Sequence, residues 1–288
     1  MKINYLKILA LVISATTAFV AGGQSIPLNG RQNFNASGVN HLVIGNVSGI
    51  IEINAAAAKD ISVQWEGKIT PERHAKQNST DYKIRTYLSS DTLWVYLETP
   101  CGDFKPKFNY RKKYNSWDHC ELDAEMEINY SIQIPQHLKV FASNMNEGDI
   151  VLNGLKNSAT LNHLNGNIRV TNHHGPVNLH TLNGDIDCSF ASTNAEECTF
   201  NTLNGTIKLQ VPPSFSAQVK FKSLHGDLYT NIAETQIKYE TETEQKKGEY
   251  GGLNMKIGSN QIIKFGQGGG KWTAETLNGD VYVKTSGK

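Results

Sequence analysis

The sequence predicts an all-β protein, a β-solenoid-like stack of short strands with about 18–21 residues per repeat. Three observations carry this reading. The first is a recurring phrase: Leu164-Asn165-Gly166-Asn167-Ile168, Leu182-Asn183-Gly184-Asp185-Ile186, Leu203-Asn204-Gly205-Thr206-Ile207, Leu224-His225-Gly226-Asp227-Leu228 and Leu277-Asn278-Gly279-Asp280-Val281. Degenerate copies stand at Asn146-Glu147-Gly148-Asp149-Ile150 and Val47-Ser48-Gly49-Ile50-Ile51. The second is constant spacing. Gly148, Gly166 and Gly184 lie 18 apart, and Gly205 and Gly226 follow at 21. The third is period-2 alternation around each glycine, with helical periodicity almost absent beyond the N-terminal segment.

The chain opens with Lys2 and Lys7, an apolar run from Ile8 to Val20, and small residues at Ala21, Gly22 and Gly23. Residues 1–23 are expected to be a secretory signal peptide, too short for a membrane anchor. The mature chain is expected to be exported to the periplasm, the cell surface or beyond, with no membrane span. Lys plus Arg total 28 against 27 Asp plus Glu. That balance gives no global field for nucleic acid.

Residues 24–145 are expected to form an N-terminal β region. Its strands are His41–Ile44, Ile50–Ile53, Ile61–Trp65, Tyr82–Leu88, Thr92–Leu97 and Met126–Ile134, the last stopped by Pro135. Ala55–Ala58 is one helical turn at most, and residues 71–81 are a polar loop. Residues 100–123 are a longer loop bracketed by Cys101 and Cys120. There Phe104, Phe108, Tyr110, Tyr114 and Trp117 interleave with Lys105, Lys107, Arg111, Lys112 and Lys113. That composition suits stacking on sugars or contact with a protein, so these aromatics are the candidate partner-binding loop. The alternative is a surface loop that packs its own aromatics.

Residues 146–288 are expected to be the repeat region, continuous with the first. The leucine two before each glycine shares parity with the aliphatic residues two and four after it, which predicts that all three face inward. The residue three after glycine (Val151, Arg169, Asp187, Lys208, Tyr229, Tyr282) then faces solvent. Glycine falls in the inward parity, where a bend or a close backbone approach favours it. Stacking such units at about 4.8 Å buries a continuous core. A meander closing into a sandwich, with Asn-Gly hairpin turns, is the alternative. A charged, Gly-rich stretch from Glu240 to Gly270 interrupts the period.

Four cysteines in an exported chain allow three pairings. Proximity in sequence favours Cys101 with Cys120 and Cys188 with Cys198, and both members of the second pair fall in inward phase.

No catalytic set is legible. Asp149, Asp185, Asp227 and Asp280 fit turn residues better than a calcium row. Asn165, Asn183, Asn204 and Asn278 fit an amide ladder or turn formers. His163, His173, His174 and His180 fall within 18 residues but in different phases, which argues against a shared zinc or copper site. Gly266–Lys271 resembles a phosphate loop only in composition, because Trp272 stands where Ser or Thr is needed. No cofactor, metal or catalytic residue is therefore expected.

Ile132-Gln133-Ile134-Pro135, Thr181-Leu182-Asn183-Gly184-Asp185-Ile186, Thr202-Leu203-Asn204-Gly205-Thr206-Ile207, Leu209-Gln210-Val211-Pro212 and Thr276-Leu277-Asn278-Gly279-Asp280-Val281 carry a resemblance. Over residues 40–288 the chain resembles the bacterial adhesin-like β-strand-repeat family, an extracytoplasmic domain of unknown function. The resemblance implies a solenoid-like, extracytoplasmic, non-enzymatic protein and carries over no catalytic residue. The expectation is an exported structural or adhesin-like interaction scaffold at the cell envelope, with an unknown protein or glycan partner. A polysaccharide-binding or polysaccharide-active β-helix and a periplasmic metal-binding protein are the alternatives.

Overall fold

The computed structural model describes residues 25–71, 82–99, 102–103, 124–192, 196–232, 234–247 and 253–285. The expected signal peptide lies outside the described residues. So do Cys101, Cys120 and the five aromatics of the loop.

The chain is a two-sheet β-solenoid. Each coil places one strand in each sheet, with the phrase at the corner between them. In one sheet the coil strands are β3 (His41–Gly45), β10 (Lys139–Asn144), β12 (Ala159–Asn165), β14 (Val177–Asn183), β16 (Glu197–Asn201), β18 (Ala217–His225) and β22 (Gly270–Asn278). In the other they are β4 (Ile51–Ala56), β11 (Ile150–Asn153), β13 (Ile168–His173), β15 (Ile186–Phe190), β17 (Ile207–Val211), β19 (Leu228–Thr230) and β23 (Val281–Thr285). Neighbouring coil strands run parallel in both sheets. Parallel pairing follows because every coil repeats the same direction of travel.

The register aligns equivalent residues into buried ladders. Ile51, Ile150, Ile168, Ile186, Ile207 and Val281 form one row across the second sheet. Across the first, Ala142, Leu161, Leu179, Phe200 and Ala274 face them. Near the C-terminal end, Trp272 fills the gap between the sheets with Phe190, Phe215 and Phe200, whose ring centroids lie 4.6, 4.8 and 5.8 Å away. An aliphatic row on each inner face, with polar residues between, is why neither sheet is stable without the other.

The N-terminal end is closed by antiparallel elements. β5 (Asp60–Pro71) and β9 (Ala124–Pro135) form a long ribbon, and β9 also runs parallel to β4. β1 (Ile26–Pro27) and β2 (Gly30–Asn35) lie on β5. β6 (Lys83–Ser89) pairs with β7 (Thr92–Thr99), which extends the first sheet beside β3. β8 (Gly102–Asp103) adds a short strand to β7. Ala55 and Ala56 continue β4 rather than forming a helical turn.

The C-terminal end departs from chain order. The coil β22–β23 is inserted between the coils β16–β17 and β18–β19. The charged stretch before it is a hairpin of β20 (Glu234–Lys247) and β21 (Leu253–Phe265), and β21 covers β18. The interruption in the period is thus a paired ribbon at the sheet edge. The alternating Glu and Thr of residues 240–244 satisfy the period of a strand without an apolar row of their own, while Ile263 and Phe265 of β21 join the core.

Candidate binding surface

The corner phrase is built from four side-by-side ladders. The innermost is glycine. A Cβ on Gly166 would stand 2.3 Å from the carbonyl oxygen of Gly148, and one on Gly184 2.2 Å from that of Gly166. The series continues through Gly205 against Gly184, Gly279 against Gly205 and Gly226 against Gly279, at 2.0, 2.0 and 1.9 Å. Consecutive corners pack backbone on backbone, and only glycine fits.

The second ladder lies three residues before glycine and points inward. Each side chain donates to the carbonyl of the glycine on the preceding coil. Thr181 donates to Gly166 at 2.9 Å, Thr202 to Gly184 at 2.9 Å and Thr276 to Gly205 at 3.1 Å. Ser223 does so to Gly279 at 3.3 Å. On earlier coils His163 Nε2 holds Gly148 at 2.6 Å, and Asn144, in register with His163 but four residues before its own glycine, holds Gly49 at 2.8 Å. These hydrogen bonds satisfy carbonyls that would otherwise be buried without partners. Sequence reasoning missed this row. The constant threonine at Thr181, Thr202 and Thr276 was its signal.

The third ladder is the asparagine row. Asn183 donates to Asn165 at 2.8 Å, Asn204 to Asn183 at 2.7 Å and Asn278 to Asn204 at 2.7 Å. The aspartates form no convergent site. Asp185 accepts the Thr206 N–H at 2.8 Å and Asp280 accepts that of Asp227 at 3.0 Å, so they join coil to coil.

The fourth ladder corrects the inward assignment of the leucines. Leu164, Leu182 and Leu203 are 38–40% exposed, Leu224 is 67% exposed, and Met145 continues the row at 37%. The parity count assumes one bent strand. The corner instead separates the inward threonine from the inward isoleucine by five residues, an odd number, so parity flips across it. The leucines therefore form an apolar stripe on the solvent side, beside the amide ladder.

The stripe ends at an open cleft of about 740 Å³ between the corner and the β5–β9 ribbon. Lys68, Glu125, Glu127, Glu147, Asn146 and Asn165 are among its lining residues. Lys68 pairs with Glu127 at 3.8 Å.

The histidines are scattered. His163 is a cap in the corner. His173 is buried with its ring edge-on to Phe190 at 6.0 Å, and burial pushes its pKa down to about 4. Burial lowers His163 and His180 as well. His180 Nδ1 meets the Asn201 amide at 3.1 Å. Among the described residues no three His, Cys, Asp or Glu come together as a metal site.

The expected bridge between Cys188 and Cys198 is not formed; both are free, buried thiols. Each faces inward, but Cys188 stands in the second sheet between Val170 and Leu209, and Cys198 in the first beside Trp272. Burial pushes Cys188 well up and Cys198 up to about 12, so both stay protonated.

Residues 39–262 match the Toastrack DUF4097 family. No curated protein matches the chain. Among solved structures it is similar to a provisionally assigned cell adhesion protein from Clostridium sporogenes at 10% identity, covering 90% of this chain and 100% of that one, with a TM-score of 0.45. It is also similar to a provisionally assigned adhesin from Bacteroides fragilis at 11% identity, with 90% and 97% covered and a TM-score of 0.34. A provisionally assigned lipid binding protein from Parabacteroides distasonis gives 13%, 92% and 99%, and 0.28. These distant likenesses carry no argument for a shared activity.

Proposed function

We propose, from the premise that this chain belongs to the Toastrack DUF4097 family, that it is a non-enzymatic exported protein of the cell envelope, an adhesin-like interaction scaffold. The leucine corner is its binding face. The observation that carries this reading is the exposed row Met145, Leu164, Leu182, Leu203 and Leu224 on a stack whose every corner is fixed by hydrogen bonds. A soluble surface holds apolar residues singly, and an ordered apolar row marks a contact site. Export is supported by the basic and apolar N-terminal segment.

A polysaccharide-active β-helix needs carboxylates that converge on one face. Outward Asp187 instead stands between Arg169 and Lys208 in register, and Glu52 accepts from Asn54 at 2.9 Å. The aromatic loop of residues 100–123 is proposed as a second contact.

The test is retention on the native cell envelope. The triple substitution Leu164→Ser, Leu182→Ser, Leu203→Ser is expected to lower retention at least tenfold while the urea midpoint changes little. Unchanged retention overturns the leucine face. Alanine at Phe108, Tyr110 and Trp117 tests the loop in the same way.

A further inference from the structure

The corners nearest this end are met by the next coil through a shared set of contacts. The next coil donates a hydroxyl to the glycine carbonyl, as Thr276 does to Gly205 and Ser223 to Gly279. It donates an N–H to the aspartate, as Asp227 does to Asp280. It accepts the glycine N–H, as Asn278 does from Gly205 and His225 from Gly279, both at 3.1 Å. It also accepts the N–H two residues later, from Ile207 to Asp280 and from Val281 to Asp227, both at 2.9 Å. On the outer face, Tyr229 stacks on Tyr282 with centroids 4.9 Å apart and planes 15° apart.

The coil β18–β19 ends the stack and presents all of these again. β23 is the one strand that pairs with β19 among the described residues. In parallel register the Tyr229 N–H turns to β23, which leaves the Leu228 N–H directed outward. β21 covers β18 only as far as Phe221, opposite Gln261. Beyond it lies a cavity of about 350 Å³ lined by Ser223, Gly226, Asp227, Leu228, Tyr229 and Gln261, among others. Leu224, last in its row, is 67% exposed against 38–40% for Leu164, Leu182 and Leu203. The cavity is where the corner of one more coil would stand.

We propose that this end of the solenoid is a strand-addition site, taking from a partner protein an extended segment parallel to β19 that carries a hydroxyl residue, two further residues, glycine, a polar residue and an aliphatic one. The occupant follows from the groups left unmet among the described residues. The Gly226 carbonyl asks for a hydroxyl, the Asp227 carboxylate for an amide N–H, and the Gly226 and Leu228 N–H groups for carbonyls. The glycine is required because a Cβ there meets the carbonyl of the coil below, as at 1.9–2.3 Å throughout the ladder. A glycan supplies hydroxyls but no amide row. Addition of a strand to an exposed edge is a general mode of peptide capture. The proposal does not depend on the leucine face.

The test uses a fluorescent peptide of residues 276–285 (Thr-Leu-Asn-Gly-Asp-Val-Tyr-Val-Lys-Thr) and the full chain, read by fluorescence anisotropy. Saturable binding is expected, weakened at least tenfold by Gly279→Ala in the peptide. N-methylation separates the open end from exchange into the stack. In register, the Tyr282 amide of the peptide faces β19 and the Val281 amide faces away. N-methyl-Tyr282 peptide should lose binding and N-methyl-Val281 peptide should keep it. Three results overturn the proposal: no saturable binding, equal binding of the Gly279→Ala peptide, or loss of binding with both N-methyl peptides, which marks exchange into the interior.

Discussion

Replacing Gly205 with alanine puts the corner under direct strain. The added Cβ would stand 2.0 Å from the Gly184 carbonyl oxygen and 2.6 Å from its carbon, whereas real Cβ contacts stay above 3.0 Å. The oxygen belongs to backbone, so the coils must part by about 1 Å, the difference between 3.0 and 2.0. Three of the hydrogen bonds across that corner lie nearest the added Cβ: Gly184 N–H to Asn204 at 3.0 Å, Thr202 hydroxyl to Gly184 at 2.9 Å and Thr206 N–H to Asp185 at 2.8 Å. Losing them costs about 1 kcal/mol each. Overpacking adds roughly 1–3 kcal/mol. The expected loss is about 4–6 kcal/mol, a large share of the ~5–15 kcal/mol that holds a typical domain. The assay is urea unfolding followed by tryptophan fluorescence, with Trp272 as the core reporter, since it is buried among Phe190, Phe200 and Phe215. Gly38→Ala is the reference. Gly38 has φ +78°, and a Cβ added there would meet nothing within 4 Å, so only left-handed strain of about 1–2 kcal/mol applies. If Gly205→Ala costs no more than Gly38→Ala, the backbone-on-backbone account of the ladder is wrong.

Three further outcomes follow from the same corner and its neighbours. Thr202→Val should cost about 1–3 kcal/mol in urea unfolding by leaving the Gly184 carbonyl unpaired, and Thr202→Ser should restore most of it. Asn204→Asp removes the amide donor to Asn183 in the middle of the row; it should cost about 1 kcal/mol at pH 7, and the difference from the parent should shrink as the carboxyl is protonated below about pH 4. His173 has its folded pKa depressed from 6.5 to about 4, so the unfolded chain binds the proton first. Its contribution is intact above about pH 6.5 and falls as pH drops, by about 3 kcal/mol at pH 4. His173→Phe should flatten that part of the stability profile, and an unchanged acid slope refutes the assignment.

The sequence made the repeat legible because each coil restates the same constraint. Glycine at a constant interval, an aliphatic residue two positions on and an asparagine before it are local marks of a stack. The glycine, asparagine and isoleucine rows stand where the period puts them. The leucines did not follow the period count, because alternation holds along a straight strand and resets at a corner. The threonine row was visible as a constant residue, yet its role depends on a carbonyl supplied by another coil. Cys188 and Cys198 are inward by phase and close along the chain, but phase does not say which sheet a residue faces from.

What the sequence by itself determined is the unit: a strand, a glycine corner and a strand, repeated with a buried aliphatic face. Only the tertiary structure decided the order and the ends. The coil of residues 270–285 enters between two earlier coils, a choice that no period encodes because every coil offers its neighbours nearly the same ladder. The open edge at β19 follows from that stacking. It arises from contacts between residues far apart in sequence, where alternation along one strand carries no information.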